Sequence, residues 1–158
     1  MLSLALTTNI HAQHVSYSCK PLSSTGYSMR FSFQIDDDNI YLAARLKSEK
    51  LMYTAQPYIL FKTFDGEVIK LRGTYVGTQT ESVGIPVGNI IVNETEQKHT
   101  AHFPITLEQL KKFRDKGIAK IRVGTTPKVR DKMFDQNDGL GEDLYKAYSE
   151  TQNDLEEF

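Results

Sequence analysis

Alternating hydrophobic and polar residues predict an antiparallel hairpin in the first third of the chain. Apolar residues occupy every second position from 27 to 35 and again from 40 to 46. A period of two places one set of side chains on a single face of each strand. The polar residues 36–39 between the two segments supply the turn. The predicted buried face comprises Tyr27, Met29, Phe31, Phe33, Ile35, Ile40, Leu42, Ala44 and Leu46.

A second hairpin is predicted around Asp65-Gly66. Two apolar segments, 58–64 and 67–72, flank this pair, which is favoured in two-residue turns between antiparallel strands. With a loop of two residues, Leu60 would lie opposite Leu71. The basic side chains of the second strand would then cover apolar residues of the first.

The next segment predicts a loop. Residues 73–88 are rich in Gly, Thr and Ser and contain only short apolar pieces. We therefore expect 77–88 to be an exposed, mobile loop. Beyond it, residues 90–92 and 98–103 are predicted to form a last hairpin across 93–97.

Residues 103–123 predict a helix followed by a strand. Thr106 is placed as a helix N-cap with Gln109 three residues later, the spacing of a capping box. Gly117 is placed to end the helix. Apolar residues then alternate with Lys120 and Arg122, which predicts a strand with these two cations facing solvent.

The C-terminal part predicts further helices. Thr126 and Pro127 are placed as the N-cap and first residue of a short helix. The last helix would dock an apolar stripe made of Leu140, Leu144, Tyr148 and Leu155. The predicted fold class is α+β, a mainly antiparallel sheet of about six or seven strands with one well-capped helix and C-terminal helices packed on it.

The capped helix and its strand also carry a resemblance. The sequence Pro-Ile-Thr-Leu-Glu-Gln-Leu, followed by Gly-Ile-Ala-Lys-Ile-Arg-Val, resembles the closing part of small exported proteins of unknown function that are common in gut Bacteroidales. The resemblance covers residues 103–148. It implies a location in the cell envelope and supplies no catalytic residue.

The first twelve residues have features of a secretory signal. An apolar start is followed by Ile10 and Ala12, at the −3 and −1 positions of a signal-peptidase site before Gln13. The basic region that opens such signals is missing, since no Lys or Arg precedes Lys20. We expect residues 1–12 to be a signal-peptide remnant and 13–158 to be a single α+β domain.

Export to the periplasm or cell envelope follows from this interpretation. The alternative is a cytoplasmic protein with an ordinary N-terminus. Cys19 is the one cysteine, so no disulfide within the chain is available to decide between the two compartments. No apolar stretch approaches the ~20 residues of a membrane-spanning helix, so no membrane span is expected.

Motifs for catalysis are missing from the sequence. His99 and His102 lie three residues apart on a predicted strand, which places them on opposite faces and disfavours a shared metal. The chain contains neither a P-loop nor a nucleophile elbow. We therefore predict a protein that is not an enzyme and has no cofactor or metal, with a small hydrolase of unrecognised type as an alternative.

Charge is distributed unevenly along the chain, although the net charge is −1. Residues 111–132 contain nine basic residues against Asp115 and Asp131, whereas 139–158 contain six acids against Lys146. The favoured interpretation is neutralisation within the fold, with the acidic C-terminal helix as partner. The alternative is a basic face for a polyanion or acidic partner, with Lys112, Lys120 and Arg122 as candidate binding residues.

The sequence as a whole predicts a small exported, non-catalytic binding or accessory protein of the cell envelope. Its partner would be an unknown protein or envelope component. Nucleic acid is not expected, because the basic segment has almost no aromatic side chains with which to stack bases.

Overall fold

The structure is a computed structural model that describes residues 15–19, 27–48 and 50–157. The predicted signal-peptide remnant lies outside these residues. The described strands are β1 (Val15–Cys19), β2 (Tyr27–Asp36), β3 (Asn39–Ser48), β4 (Met52–Tyr53), β5 (Tyr58–Thr63), β6 (Val68–Arg72), β7 (Thr74–Val87), β8 (Ile90–Ile105), β9 (Ile118–Val123), β10 (Thr125–Thr126) and β11 (Arg130–Met133). The described helices are α1 (Leu107–Lys116) and α2 (Leu140–Glu157).

The strands form three antiparallel sheets. The largest has the order β1-β2-β3-β8-β7, the second the order β11-β9-β5-β6, and β4 pairs with β10. The α+β class is therefore confirmed. The prediction of one sheet of six or seven strands is wrong, because the described strands divide among sheets of five, four and two strands.

One hydrophobic core joins the two larger sheets and both helices. The ring of Phe31 on β2 lies 6.4 Å from that of Phe61 on β5, centroid to centroid. Phe113 of α1 packs on Phe61 at 4.8 Å. Tyr148 of α2 meets Phe33 edge-on at 6.1 Å. The buried face predicted for the first hairpin is confirmed, apart from partial exposure of its end.

Both ends of α1 lie where the sequence predicts them. The Gln109 amide N–H donates to Thr106 Oγ1 at 3.1 Å, and the Thr106 N–H donates to Gln109 Oε1 at 3.0 Å, which completes the capping box. At the other end, the Gly117 N–H donates to the Phe113 carbonyl at 2.9 Å. Both signals are local in sequence, so they do not depend on tertiary partners.

The turn between β5 and β6 differs from the prediction by one residue. The Thr63 N–H donates to the Glu67 carbonyl at 2.9 Å, so the loop has three residues and Gly66 has a φ of 94°. A three-residue loop of this kind ends in a left-handed residue, which Gly supplies without strain. Ile59 therefore lies opposite Leu71, and Lys70 and Arg72 face solvent.

The predicted loop at 77–88 and the predicted turn at 93–97 are both wrong. Strands β7 and β8 run without a break on either side of a turn at Gly88-Asn89. The reason is long-range strand pairing. Strand β8 pairs with β3 along one edge and with β7 along the other. The predicted exposure is confirmed for most of the described side chains of β7.

The short helix predicted at Thr126 and Pro127 is also wrong. Thr126 is the last residue of β10, Pro127 follows it, and the peptide bond between them is cis. The next residues form β11, which pairs with β9 from Arg130 opposite Val123 to Met133 opposite Lys120. Sheet pairing thus overrides the local helix signal.

Candidate functional site

The outer face of the four-stranded sheet brings together cations from three strands of the described fold. Strands β5, β6 and β9 alternate buried and exposed residues, so each presents one set of side chains to the core and one to solvent. We call the solvent-facing set the basic sheet face. It comprises Tyr58, Leu60, Lys62, Val68, Lys70, Arg72, Lys120, Arg122, Asp131 and Met133.

Strand register brings the cations of this face together. Lys62 lies directly opposite Lys120, and Leu60 lies between Arg122 on one side and Lys70 on the other. Like charges at directly opposite positions repel each other. The register therefore places cations of neighbouring strands side by side.

One carboxylate partly neutralises the face. Asp131 accepts hydrogen bonds from Nε of Arg122 at 2.7 Å and from Nη2 at 3.0 Å, and Lys120 Nζ lies 3.4 Å away. The Arg122 hydrogen bonds are the main reason that the pKa of Asp131 is held below its usual value. Ionised Asp131 therefore persists on this face at neutral pH.

The remaining cations of the face have no such partner. Within the described part of the chain, Lys62, Lys70 and Arg72 make no ion pair. Five cations thus face one carboxylate, and the face has a surplus of four positive charges. This surplus arises locally, since the net charge of the chain is −1.

An aromatic ring lies at one end of the face. Tyr58 packs against Gly124, where a β-carbon would overlap the ring, and Lys70 Nζ lies 4.8 Å from the ring centroid. Because only a glycine leaves room for this packing, the ring position is fixed by the backbone. The face therefore combines charge with a partly exposed flat apolar group.

The structure does not bring the three predicted binding residues together. Lys120 and Arg122 lie on the basic sheet face, but Lys112 lies on α1 and donates to Glu67 Oε2 at 2.9 Å. Lys116 pairs with Asp65 at 2.8 Å and with Glu67 at 3.1 Å. Hydrogen bonds from Lys112 and then Lys116 hold the pKa of Glu67 below its usual range.

The basic segment is neutralised by different acids from those expected. Its described ion pairs join Asp65, Glu67, Asp115 and Asp131. The acidic helix α2 contributes an aromatic contact instead, with the Arg114 guanidinium 4.4 Å from the ring centroid of Tyr145. The acids of the β5–β6 turn lie beside α1 because β5 packs directly against that helix.

Sequence reasoning missed three residues of the face. Lys62, Lys70 and Arg72 come from the hairpin whose register was predicted with a two-residue loop. The available signal was the alternation of Ile69 and Leu71 with basic residues, which is typical of a strand with one solvent face. What the sequence does not reveal is the pairing of β5 with β9.

A second basic cluster lies on the five-stranded sheet. Arg30 lies opposite Arg45, and Lys47 lies opposite Lys98, around a cavity of about 220 Å³. Lys47 and Lys98 are each engaged in a further interaction, so neither is a free cation. This cluster is smaller than the basic sheet face and its described lining has no aromatic side chain.

The two histidines of β8 lie on opposite faces, as their spacing predicts. His99 is buried, with Nδ1 3.0 Å from Thr78 Oγ1 and 3.2 Å from the Tyr75 hydroxyl. Its Nε2 has no hydrogen-bond partner among the described residues. Burial lowers the pKa of the His99 imidazole, and also that of His102 on the other face.

Comparisons with known proteins give no relative from which to transfer a function. No family model matches the chain, and no curated protein or solved structure is similar to it. Within residues 15–19, 27–48 and 50–157, no three His, Cys, Asp or Glu side chains are grouped so that they could hold a metal ion. Neither described helix has the length and apolar character needed to cross a membrane.

Proposed function

We propose that this chain is a small exported binding protein of the cell envelope, without catalytic activity, that holds an anionic polymer on the basic sheet face. The observation that carries the proposal is the surplus of four cations on one open sheet face. A flat face of this kind offers several anionic groups of one extended ligand a cation each. The shared chemistry is a repeat of carboxylate, sulfate or phosphate groups.

The physical support is the cost of leaving this face empty. Lys62 and Lys120 repel each other across neighbouring strands, and Arg122 and Lys120 share the one carboxylate of the face, Asp131. A polyanion relieves the repulsion and releases its own counterions, a gain that falls as salt is added. Tyr58 adds a partly exposed ring beside Lys70, against which an apolar part of the ligand can pack.

Binding is tested by titrating the protein with a sulfated glycan, polyglutamate and mixed-sequence DNA at low and physiological salt. We expect binding by at least one polymer tighter than micromolar at physiological salt, with affinity that falls steeply as salt is raised. The three polymers distinguish sulfate, carboxylate and phosphate as the recognised group. No binding to any of them contradicts the proposal.

The location of the site is tested by a charge-reversal variant and a matched control. The variant Lys62→Glu, Lys70→Glu, Arg72→Glu should bind at least about tenfold more weakly, because three phosphate- or sulfate-type contacts become repulsive. The control Lys111→Glu, Lys128→Glu, Lys146→Glu changes the net charge equally at exposed positions outside the face. Equal loss in both variants would mean that only net charge matters.

Export is tested separately. Fractionation of the native producer and sequencing of the mature N-terminus should give an envelope protein that begins at Gln13, as the residues around Ala12 predict. Cytosolic protein that still begins at Met1 would contradict export. The titrations would still decide the binding proposal.

A further inference from the structure

Two arginines lie side by side on the outer face of the five-stranded sheet. Arg30 of β2 is directly opposite Arg45 of β3. Their strand neighbours Phe31 and Ala44 are fully buried, so the two arginine side chains point away from the core. Opposite residues of an antiparallel pair have β-carbons about 5 Å apart. Both guanidinium groups are therefore within reach of one small ligand.

Both arginines line the cavity of about 220 Å³ that the second basic cluster surrounds. The other lining residues are Ser28, Met29, Lys47 and Lys98. This described lining contains no acid, and the Ser28 hydroxyl provides a neutral hydrogen-bond donor. Pockets for drug-sized ligands measure about 300–1,000 Å³. The cavity therefore suits a single small charged group, with little room for what is attached to it.

Neither arginine has an acidic partner in the described part of the chain. The cations of the described ion pairs are Lys112, Arg114, Lys116, Lys120 and Arg122. The positions of β2, β3 and β8 that surround the two arginines on this sheet face are Ser28, Ser32, Ala43, Lys47, Lys98, Thr100 and His102. None of these positions is acidic, and Lys47 and Lys98 have interactions of their own. The two arginines therefore supply the positive charge that remains for a ligand.

A phosphate monoester matches this pair better than other common anions do. A guanidinium group is a planar fork that donates to two oxygens of one anion at once. A carboxylate has only two oxygens, so one arginine already engages both of them. A phosphate monoester offers three acceptor oxygens and a charge of about −1.5 to −2 at neutral pH, which balances two guanidinium groups. A sulfate ester has similar oxygens but only one negative charge.

We propose that Arg30 and Arg45 bind the phosphate monoester group of a ligand, with the Ser28 hydroxyl as a further donor. This site lies on the five-stranded sheet, whereas the basic sheet face belongs to the four-stranded sheet. It takes a single charged group in a cavity, in contrast to an extended polymer on an open face. Binding here is therefore independent of the proposed polymer binding. Both a soluble small molecule and a lipid head group can carry a phosphate monoester.

Binding is tested by calorimetric titration of the full chain with glycerol 3-phosphate, methyl sulfate and acetate at physiological salt. Glycerol 3-phosphate should bind with a Kd of about 1 mM or tighter, and at least about tenfold more tightly than the other two anions. Cosedimentation with phosphatidylcholine vesicles, with and without phosphatidic acid, tests the lipid source of the same group. Binding to the vesicles with phosphatidic acid alone supports the site with a lipid as its ligand.

Variants of the two arginines locate the site. Arg30→Gln with Arg45→Gln removes both forks and should weaken binding at least about tenfold. Arg45→Lys keeps the charge but loses the planar fork, so it should also weaken binding. The matched control is Lys62→Gln with Lys70→Gln, which removes the same charge from the basic sheet face and should leave the Kd for glycerol 3-phosphate unchanged. Circular dichroism and thermal melting check that every variant folds.

Several results would overturn the inference. One is the absence of binding to both glycerol 3-phosphate and phosphatidic acid. Another is equal affinity for acetate, which would mean that the pair does not recognise a phosphate group. Equal loss of binding in the control and in the double arginine variant would mean that only net charge matters. Binding that survives in a folded double arginine variant would place the phosphate elsewhere on the protein.

Discussion

Gly141 of α2 lies against the backbone carbonyl of Phe113 in α1, so closely that a β-carbon on Gly141 would overlap the carbonyl oxygen. The second residue of α2 therefore meets the last turn of α1 backbone to backbone. Phe113 also carries the ring that packs on Phe61. The contact fixes α2 relative to the core through a residue without a side chain.

Gly141→Ala should lower the free energy of unfolding by about 2–4 kcal/mol, because the overlap is with backbone that cannot move without displacing a core ring. Urea denaturation measures the change. The control is Gly77→Ala, since a β-carbon at Gly77 has no atom within 4 Å. Equal stability of Gly141→Ala and wild type would show that the helices separate easily at this point.

Thr106→Ala should destabilise the protein by about 1 kcal/mol, the usual cost of losing an N-cap side chain. The lost interaction is the bond from the Gln109 amide to Thr106 Oγ1. Chemical denaturation at neutral pH measures the loss, and Lys111→Ala, an exposed change on the same helix, serves as control. A loss no greater than that of the control would mean that the cap contributes nothing to global stability.

Acidification should destabilise the fold before the carboxylates titrate. Burial lowers the pKa of His99 below 6.5, so the unfolded chain binds a proton at a pH where the folded chain does not. Stability from this group is complete above pH 6.5 and decreases as the pH falls below it. His102 contributes with the same sign.

The variants His99→Gln and His99→Gln with His102→Gln test this pH dependence. The free energy of unfolding, measured from about pH 7.5 to about pH 5.5, should fall in the wild type, fall less in the single variant and stay nearly level in the double variant. An unchanged slope in His99→Gln would show that the buried imidazole is not the group responsible.

The basic sheet face illustrates what local patterns predict and what they do not. The solvent-facing positions of Lys120 and Arg122 follow from alternation within one strand, and the structure confirms them. Lys62 joins these residues only because β5 pairs with β9, although 55 or more residues separate them in sequence. Alternation assigns a residue to a face, but it does not say which strands are neighbours.

The same distinction explains the other results. The capping box at Thr106 and the first hairpin depend on residues a few positions apart, so both could be predicted. Strand β7 could not, because its many Gly, Thr and Ser residues form a strand only when β8 is present as a partner. Strand β11 likewise needs the edge of β9.

The turn at Gly66 has a consequence for the variation that the chain can tolerate. Its three residues set which side of β6 faces the core, and a strand shifted by one residue exchanges its two faces. If the strands closed instead around a two-residue loop at Asp65-Gly66, Lys70 would lie opposite Phe61 and Arg72 opposite Ile59, and Ile69 and Leu71 would face solvent. The conformation of Gly66, which closes the turn between Thr63 and Glu67, therefore matters more to this register than the exposed side chain of Phe64.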